Sequence, residues 1–332
     1  MPNDSIGVVD HLPDLRMVGA GDSPPIPPPG LIHGTGTGLA HRSVSQVSSF
    51  AQCGEAYRLS RVAKVPQRPA AWFPHGTAYH AVIEEYENTG RTLTKQALAD
   101  RFINLYQEAI AKMREQWPDE NDWITGGRKK GFRDIEDREA IGVWQVLDYV
   151  DFAKAHEDQW RILPLGDGKI ATEVEFHIDF GGVDCFGFID QIRQYPDGSL
   201  EVADLKTGTS TPGSAMQLAV YAYVVQQNTG ILPVSGVFVK AGRPATAAKP
   251  TVVKPATPTW DIQHRLHGWD KSLLDSIFSD MDRAEKAGIF LPNPQDGCER
   301  TCTVSEYCRI KGWGSSPARF ATITTRAVDL GN

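Results

Sequence analysis

The chain has 332 residues, 41% hydrophobic and 23% charged, which is the make-up of a globular protein with one large domain or two smaller ones. A net charge of −7 argues against a general nucleic-acid coat. No window reaches the apolar length of a membrane span, and the N-terminus lacks the basic start and apolar run of a secretory signal, so a cytoplasmic protein is expected.

Residues 1–40 are expected to be disordered. Pro24, Pro25, Pro27, Pro28 and Pro29 are followed by Gly34, Gly36 and Gly38, a composition that cannot bury enough apolar surface to fold. The GTGTG string there follows no strand and opens no clear helix, so a dinucleotide loop is rejected. Ser43 to Leu59 reads as a short helix with Cys53 inside it. Gly76 to Glu87 reads as a second helix, carrying His80 and Glu84. Leu98, Phe102, Leu105, Ala109 and Met113 recur at helical spacing, and Ala140, Val143, Trp144, Leu147 and Val150 mark another long helix.

The first strand is expected near Ile170, where Ile170, Thr172, Val174, Phe176 and Ile178 alternate with Glu173, Glu175 and His177. A β-hairpin follows over Gly187 to Lys206, turning at Tyr195-Pro196-Asp197-Gly198. Asp190 lies on its first strand. Asp204 and Lys206 lie near the end of the second and share a face, because side chains two apart on a strand do so. Ala215 to Gln226 reads as a helix and Val234 to Lys240 as a strand. A loop rich in Pro, Ala and Thr runs to Thr259, and a long helix spans Ile262 to Lys286. The segment from Pro292 holds three of the five cysteines.

Positive charge is local. Arg42, Arg58, Arg61, Lys64 and Arg68 stand against the single acid Glu55, and Lys240, Arg243, Lys249 and Lys254 face none. Arg58, Arg61, Lys64, Lys240 and Arg243 are therefore candidates for phosphate contact, with scattered solubilising charge as the plain alternative.

Two carboxylates can hold a divalent cation, and a lysine beside them can steady a water or the charge on a phosphate. Taken singly, each residue fits an ordinary role: His80 as a satisfied buried histidine, Glu175 as a solvent-facing strand residue, Gln217 and Tyr221 as packing. Together, Gly76-x-x-x-His80, Gly187-Phe188-Ile189-Asp190, Asp204-Leu205-Lys206-Thr207-Gly208 and Gln217-x-x-x-Tyr221 resemble, in order, the motifs of the RecB-like branch of the PD-(D/E)XK nucleases. The proline that names the superfamily is absent, with Ile189 in its place. Cys53 with Cys298, Cys302 and Cys308 resembles the iron–sulfur staple of AddB-type nucleases and CRISPR-associated RecB-like exonucleases. A four-cysteine zinc site has the same ligands. Cys185 reads as a buried structural thiol.

The resemblance covers roughly residues 43–312 and implies an α/β fold: a mixed central sheet flanked by helices, an N-terminal helical portion and a C-terminal 4Fe-4S staple. It implies one nuclease domain over 41–312, mainly helical over 41–168, with the core over 169–290, the cysteine segment over 291–312 and a tail over 313–332. It implies Mg²⁺ or Mn²⁺ held by His80, Asp190, Asp204 and the carbonyl of Leu205, with Glu175 as a ligand through water. Lys206 would orient or activate the attacking water, and Gln217 and Tyr221 would hold Lys206 or the DNA backbone. The implied activity is a DNA exonuclease on single strands, 5′→3′ favoured, in repair, recombination, phage or CRISPR processing. A helicase, a recombinase or an integration factor would be its partner, since the chain carries no GxxxxGK[ST] loop. A non-catalytic DNA-binding subunit, or an endonuclease or trimming factor, on the same fold is the alternative.

Overall fold

The structure, a computed structural model, describes residues 41–125, 131–166, 168–208, 212, 214–242, 254–255, 260–261, 269–295 and 297–308. The segment expected to be disordered, Arg243 and the C-terminal tail lie outside the described residues.

Helix α1 (Val44–Gln52) begins with a reciprocal cap: the Ser43 hydroxyl accepts from Gln46 N–H, and the Gln46 side chain accepts from Ser43 N–H. The single helix expected through Leu59 is interrupted. Cys53 is extended at φ −162°, and the N–H of Gly54 turns to Leu291 O at 2.8 Å. A new turn, α2 (Gly54–Tyr57), then runs into a π-helical turn at Arg58–Val62. A Cβ on Gly54 would meet Leu291 N at 2.7 Å, so glycine is what lets the two backbones touch.

Helices α3 (Trp72–Asn88), α4 (Lys95–Gln116) and α5 (Gly131–Ala155) pack against one another. Their apolar faces bury Tyr79, Tyr86, Phe102, Tyr106 and Tyr149 almost completely. The α4–α5 contact depends on Gly142, where a Cβ would lie 1.8 Å from Cζ of Phe102. Gly142→Ala is therefore expected to destabilise the fold by about 1–3 kcal/mol, despite the better helix propensity of alanine. Urea denaturation checks this, and an unchanged midpoint would show that Phe102 has room to move.

Among the described residues, seven strands form one mixed sheet. β1 (Arg161–Ile162) and β2 (Thr172–Phe180) both run antiparallel to β3 (Val183–Gln194), and so does β4 (Leu200–Lys206). β5 (Ser235–Lys240) lies parallel to β4, and β6 (Lys254–Pro255) and β7 (Trp260–Asp261) run antiparallel to β5. β1, β6 and β7 have two residues each, too few for alternation to show in sequence. The parallel pair needs a crossover, and helix α6 (Met216–Thr229) supplies it. Helix α7 (Lys271–Lys286) is capped by Asp270, which accepts from Leu273 N–H at 2.7 Å; residues 262–268 of the helix expected from Ile262 lie outside the described residues. α8 (Cys298–Thr301) is a single turn.

Phe176 of β2 meets Tyr221 of α6 edge-on at 5.9 Å, and Phe180 stacks on Phe278 of α7 at 5.1 Å. Gly187 faces Phe176 across the β2–β3 ladder. A Cβ on Gly187 would sit 2.8 Å from the Phe176 ring, so the glycine of the Gly187–Asp190 motif makes room for that ring.

Candidate active site

The β3–β4 ladder ends at the Gln191–Ala203 pair, and Asp190 and Asp204 are the next residues on the two strands; there the Leu205 N–H donates to Asp190 Oδ2 at 2.6 Å. Opposite Asp190 on its other side, β2 presents Glu173. Helix α3 brings His80 over this point. His80 Nδ1 is 3.0 Å from Glu173 Oε1 and 3.6 Å from Asp190 Oδ2, and His80 Nε2 is 3.1 Å from the Leu205 carbonyl. His80, Glu173 and Asp190 thus offer ligand atoms close enough for one metal ion.

Sequence reasoning named Glu175 here. Glu175 is exposed on β2, and Glu173 occupies the place beside His80. Both acids have the same strand parity, so alternation cannot choose between them. The backbone chooses: Glu173 sits at φ 45°, in the left-handed region, breaking the pleat at the start of β2.

Lys206 and its neighbours form a chain. Lys206 Nζ lies 2.6 Å from Asp204 Oδ2 and donates to Gln217 Oε1 at 3.2 Å; Gln217 Nε2 donates to Tyr221 Oη at 2.8 Å. Tyr221 is buried, out of reach of a DNA backbone, so it acts on Gln217. Gln145 of α5, which the sequence did not single out, reaches the loop after Lys206. It donates to Thr207 O at 3.3 Å and Gly242 O at 2.9 Å, and its oxygen lies 2.7 Å from His75 Nε2.

The charge state follows from burial. Burial raises the pKa of Asp190, His80 lowers it and Asp204 raises it further; the result is well above the carboxylate range. Asp204 is raised mainly by burial, with Lys206 pulling it down. Burial alone would lower His80, but Asp190 and Glu173 outweigh it and push His80 up to about 9. An imidazolium donating from both nitrogens fills the ring of acceptors. A cation is what these groups are arranged around. Apart from the Lys206 ion pair, the buried oxygens of Asp204 have no hydrogen-bond donor. An orphaned carboxylate beside Asp190, Glu173 and the Leu205 carbonyl that His80 reaches fits a hard divalent ion.

His80 and Asp190 both hold a proton more tightly folded than unfolded. Their contribution to the metal-free fold is therefore present at low pH and lost as pH rises through the folded values, about 7 for Asp190 and about 9 for His80. A bound cation needs both groups deprotonated. The Tm increase produced by Mn²⁺ is expected to be small near pH 6 and to grow toward pH 9. A shift independent of pH would place the ion elsewhere.

The other candidates divide. Arg58 is held by Glu55 through two hydrogen bonds of 2.9 and 3.0 Å. Arg61 and Lys64 line a surface pocket with Gln46, Ser60 and Gln67. Lys240 sits beside Lys206 in the parallel β4–β5 register.

Cys53 and Cys298 lie near the Gly54–Leu291 contact. None of the five cysteines is in a disulfide, and among the described residues the thiols do not come within the ligand spacing that His80, Glu173 and Asp190 reach. Cys53 Sγ accepts from Asn293 N–H at 3.4 Å and Cys298 Sγ from Gln295 N–H at 3.2 Å. Cys302 and Cys308 pack on a small second core of Leu59, Val65 and Val304. The Cys302 pKa is raised by burial and by the nearness of Cys298 and Cys53, and Arg58 feels Cys308. Cys185 is fully buried in β3, away from this group, and burial pushes its thiol up.

Fold and site together define a nuclease of the restriction-endonuclease type. The sequence matches the PD-(D/E)XK nuclease superfamily over residues 41–309, and the chain belongs to that superfamily. Two curated relatives come from mycobacterial viruses. The chain is similar to the Gene 69 protein of Mycobacterium phage D29, 34% identical over 276 residues, covering 82% of this chain and 97% of the phage protein. It is also similar to the Gene 69 protein of Mycobacterium phage L5, 32% identical over 298 residues, covering 83% and 98%. Among the described residues no helix is long and apolar enough to cross a membrane.

Proposed function

We propose that the protein is a divalent-metal-dependent DNA exonuclease acting on single strands, 5′→3′ favoured, with a second metal centre held by Cys53, Cys298, Cys302 and Cys308. The observation that carries the reading is the meeting of His80, Glu173 and Asp190 with Asp204 and Lys206 on one patch of the sheet. His80, Asp190, Asp204 and the Leu205 carbonyl would hold Mg²⁺ or Mn²⁺, with Glu173 taking the part first assigned to Glu175. Such an ion supplies positive charge to the scissile phosphate and makes the attacking water more acidic. Lys206 orients that water and offsets charge on the phosphate. Gln217, fixed by Tyr221, holds Lys206 on station. The water oxygen bonds to phosphorus as the ester P–O bond breaks, and the leaving oxygen takes a proton.

Cys53, Cys298, Cys302 and Cys308 fit a four-thiolate centre. They come from both ends of the domain, none is in a disulfide, and two accept backbone N–H bonds of the kind that tune thiolate ligands. A 4Fe-4S cluster is the reading adopted; Zn²⁺ is the alternative with the same ligands.

The test is cleavage of end-labelled single-stranded DNA with Mn²⁺, Mg²⁺ or EDTA, using anaerobically purified protein. Metal-dependent loss of label, faster from the 5′ end, is expected, and circular single strands should survive. Cutting of circles would make the enzyme an endonuclease. Absence of cleavage on every DNA would leave a binding subunit.

A further inference from the structure

Two exposed aromatic rings bracket the metal site. Phe188 is 42% exposed and Phe73 is 52% exposed. Phe188 lies two positions before Asp190 on β3, so it points to the same side, about 7 Å along the strand. Phe73 lies two turns before His80 on α3, about 10 Å along the helix axis. Thr77 is exposed between them, so an open stripe runs from Phe73 to His80.

Neither ring is loose. Phe188 is braced edge-on by Phe186 at 5.4 Å, and Phe186 is braced in turn by His177 at 4.8 Å and His41 at 5.3 Å. His177 is itself fixed by both Asp184 oxygens, at 3.0 and 2.9 Å. Phe73 leans on Trp72 at 5.7 Å, and the Arg138 guanidinium lies over Trp72 at 5.4 Å.

Charge sets what can lie there. Glu175 is the cross-strand partner of Phe188 and is exposed. A carboxylate beside the ring repels phosphate but accepts hydrogen bonds from exocyclic amines of bases. Positive charge lies on the other side of the site, on Lys206 and Lys240. A strand crossing the site would therefore turn its backbone toward the lysines and its bases toward the rings.

We propose that Phe188 and Phe73 are stacking platforms for the bases on either side of the scissile phosphate, with Glu175 facing base edges. The proposal rests on the nuclease reading and names what makes the substrate single-stranded: in a duplex the base faces are already stacked. Phe188 and Phe73 are positioning residues for the substrate.

The test uses full-length protein in EDTA, so that binding is read without cleavage. Anisotropy of labelled oligodeoxythymidylate should show Phe188→Ala and Phe73→Ala weakening binding by about 5- to 100-fold each, with Phe188→Trp restoring it. The salt dependence of binding should keep its slope in both variants, because no phosphate contact is lost. An oligonucleotide abasic at the stacked positions should bind wild type and variants alike. Equal affinity of wild type and Phe188→Ala for the intact strand would overturn the proposal. So would loss of a protein dimer in Phe188→Ala with DNA affinity unchanged, which would make the patch a protein interface. Ring-dependent binding by a protein that never cleaves DNA would instead sink the nuclease reading and leave the platforms standing.

Discussion

Lys206→Ala is expected to lower metal-dependent cleavage by at least about 10²- to 10³-fold, the scale of losing one aimed cationic donor. In transition-state terms this is about 3–4 kcal/mol. The geometry explains why no neighbour can substitute. Lys206 Nζ is fixed by Asp204 at 2.6 Å and Gln217 at 3.2 Å, and Lys240, next to it in register, grows from the adjacent strand. The variant should still bind metal, because removing the lysine frees the Asp204 carboxylate. It should also still bind single-stranded DNA. Asp190→Ala and Asp204→Ala should lose cleavage and metal together. Titration calorimetry with Mn²⁺, anisotropy and a gel assay on the same preparations separate these outcomes. Cleavage at the wild-type rate by Lys206→Ala would remove this constellation from the chemistry.

The second large effect concerns the cysteines. Cys302→Ala is expected to abolish the metal centre proposed for the cysteines and to lower Tm by on the order of 10 °C, since folding free energy in such sites is metal-binding free energy. Cys302 is the informative position. It is the thiol that senses both Cys298 and Cys53, and it also packs on the second core. Cys53→Ala should behave alike, although it lies far away in sequence, because its thiol accepts from Asn293 and its neighbour Gly54 bonds to Leu291. Cys185→Ala is the control: its side chain is buried in β3, and the variant should keep its metal. Visible absorption and metal analysis distinguish iron–sulfur from zinc. Equal Tm and equal metal content in Cys302→Ala and wild type would refute a shared centre.

Much of this was legible because it is local. The hairpin over Gly187 to Lys206, its Pro-Asp-Gly turn and the Gln217–Tyr221 spacing on α6 are written in period and turn chemistry, and the structure places them as read. What could not be read is what depends on register and on backbone outliers. Glu173 and Glu175 are equivalent by alternation, and only the positive φ of Glu173 separates them. The break at Cys53 follows from a hydrogen bond to Leu291, a partner no local window contains. Gln145 on α5 gave no signal, since a buried glutamine looks like any other until its carbonyl partners are known. The sequence marks Arg58 as a candidate phosphate contact, and a window of local charge does not show that Glu55, three residues before it, pairs with it.

The separation in sequence between His80 and the rest of the site also orders events during folding. β3, β4 and α6 are consecutive in the chain, so their contacts close small loops and form fast. Asp190, Asp204, Lys206, Gln217 and Tyr221 all belong to that unit. His80 meets the Leu205 carbonyl across a separation of 125 positions, a contact that waits for α3 to dock. Contact order therefore favours Asp190, Asp204 and Lys206 assembling before the imidazole joins them, and the complete site waits for α3 to dock on the sheet.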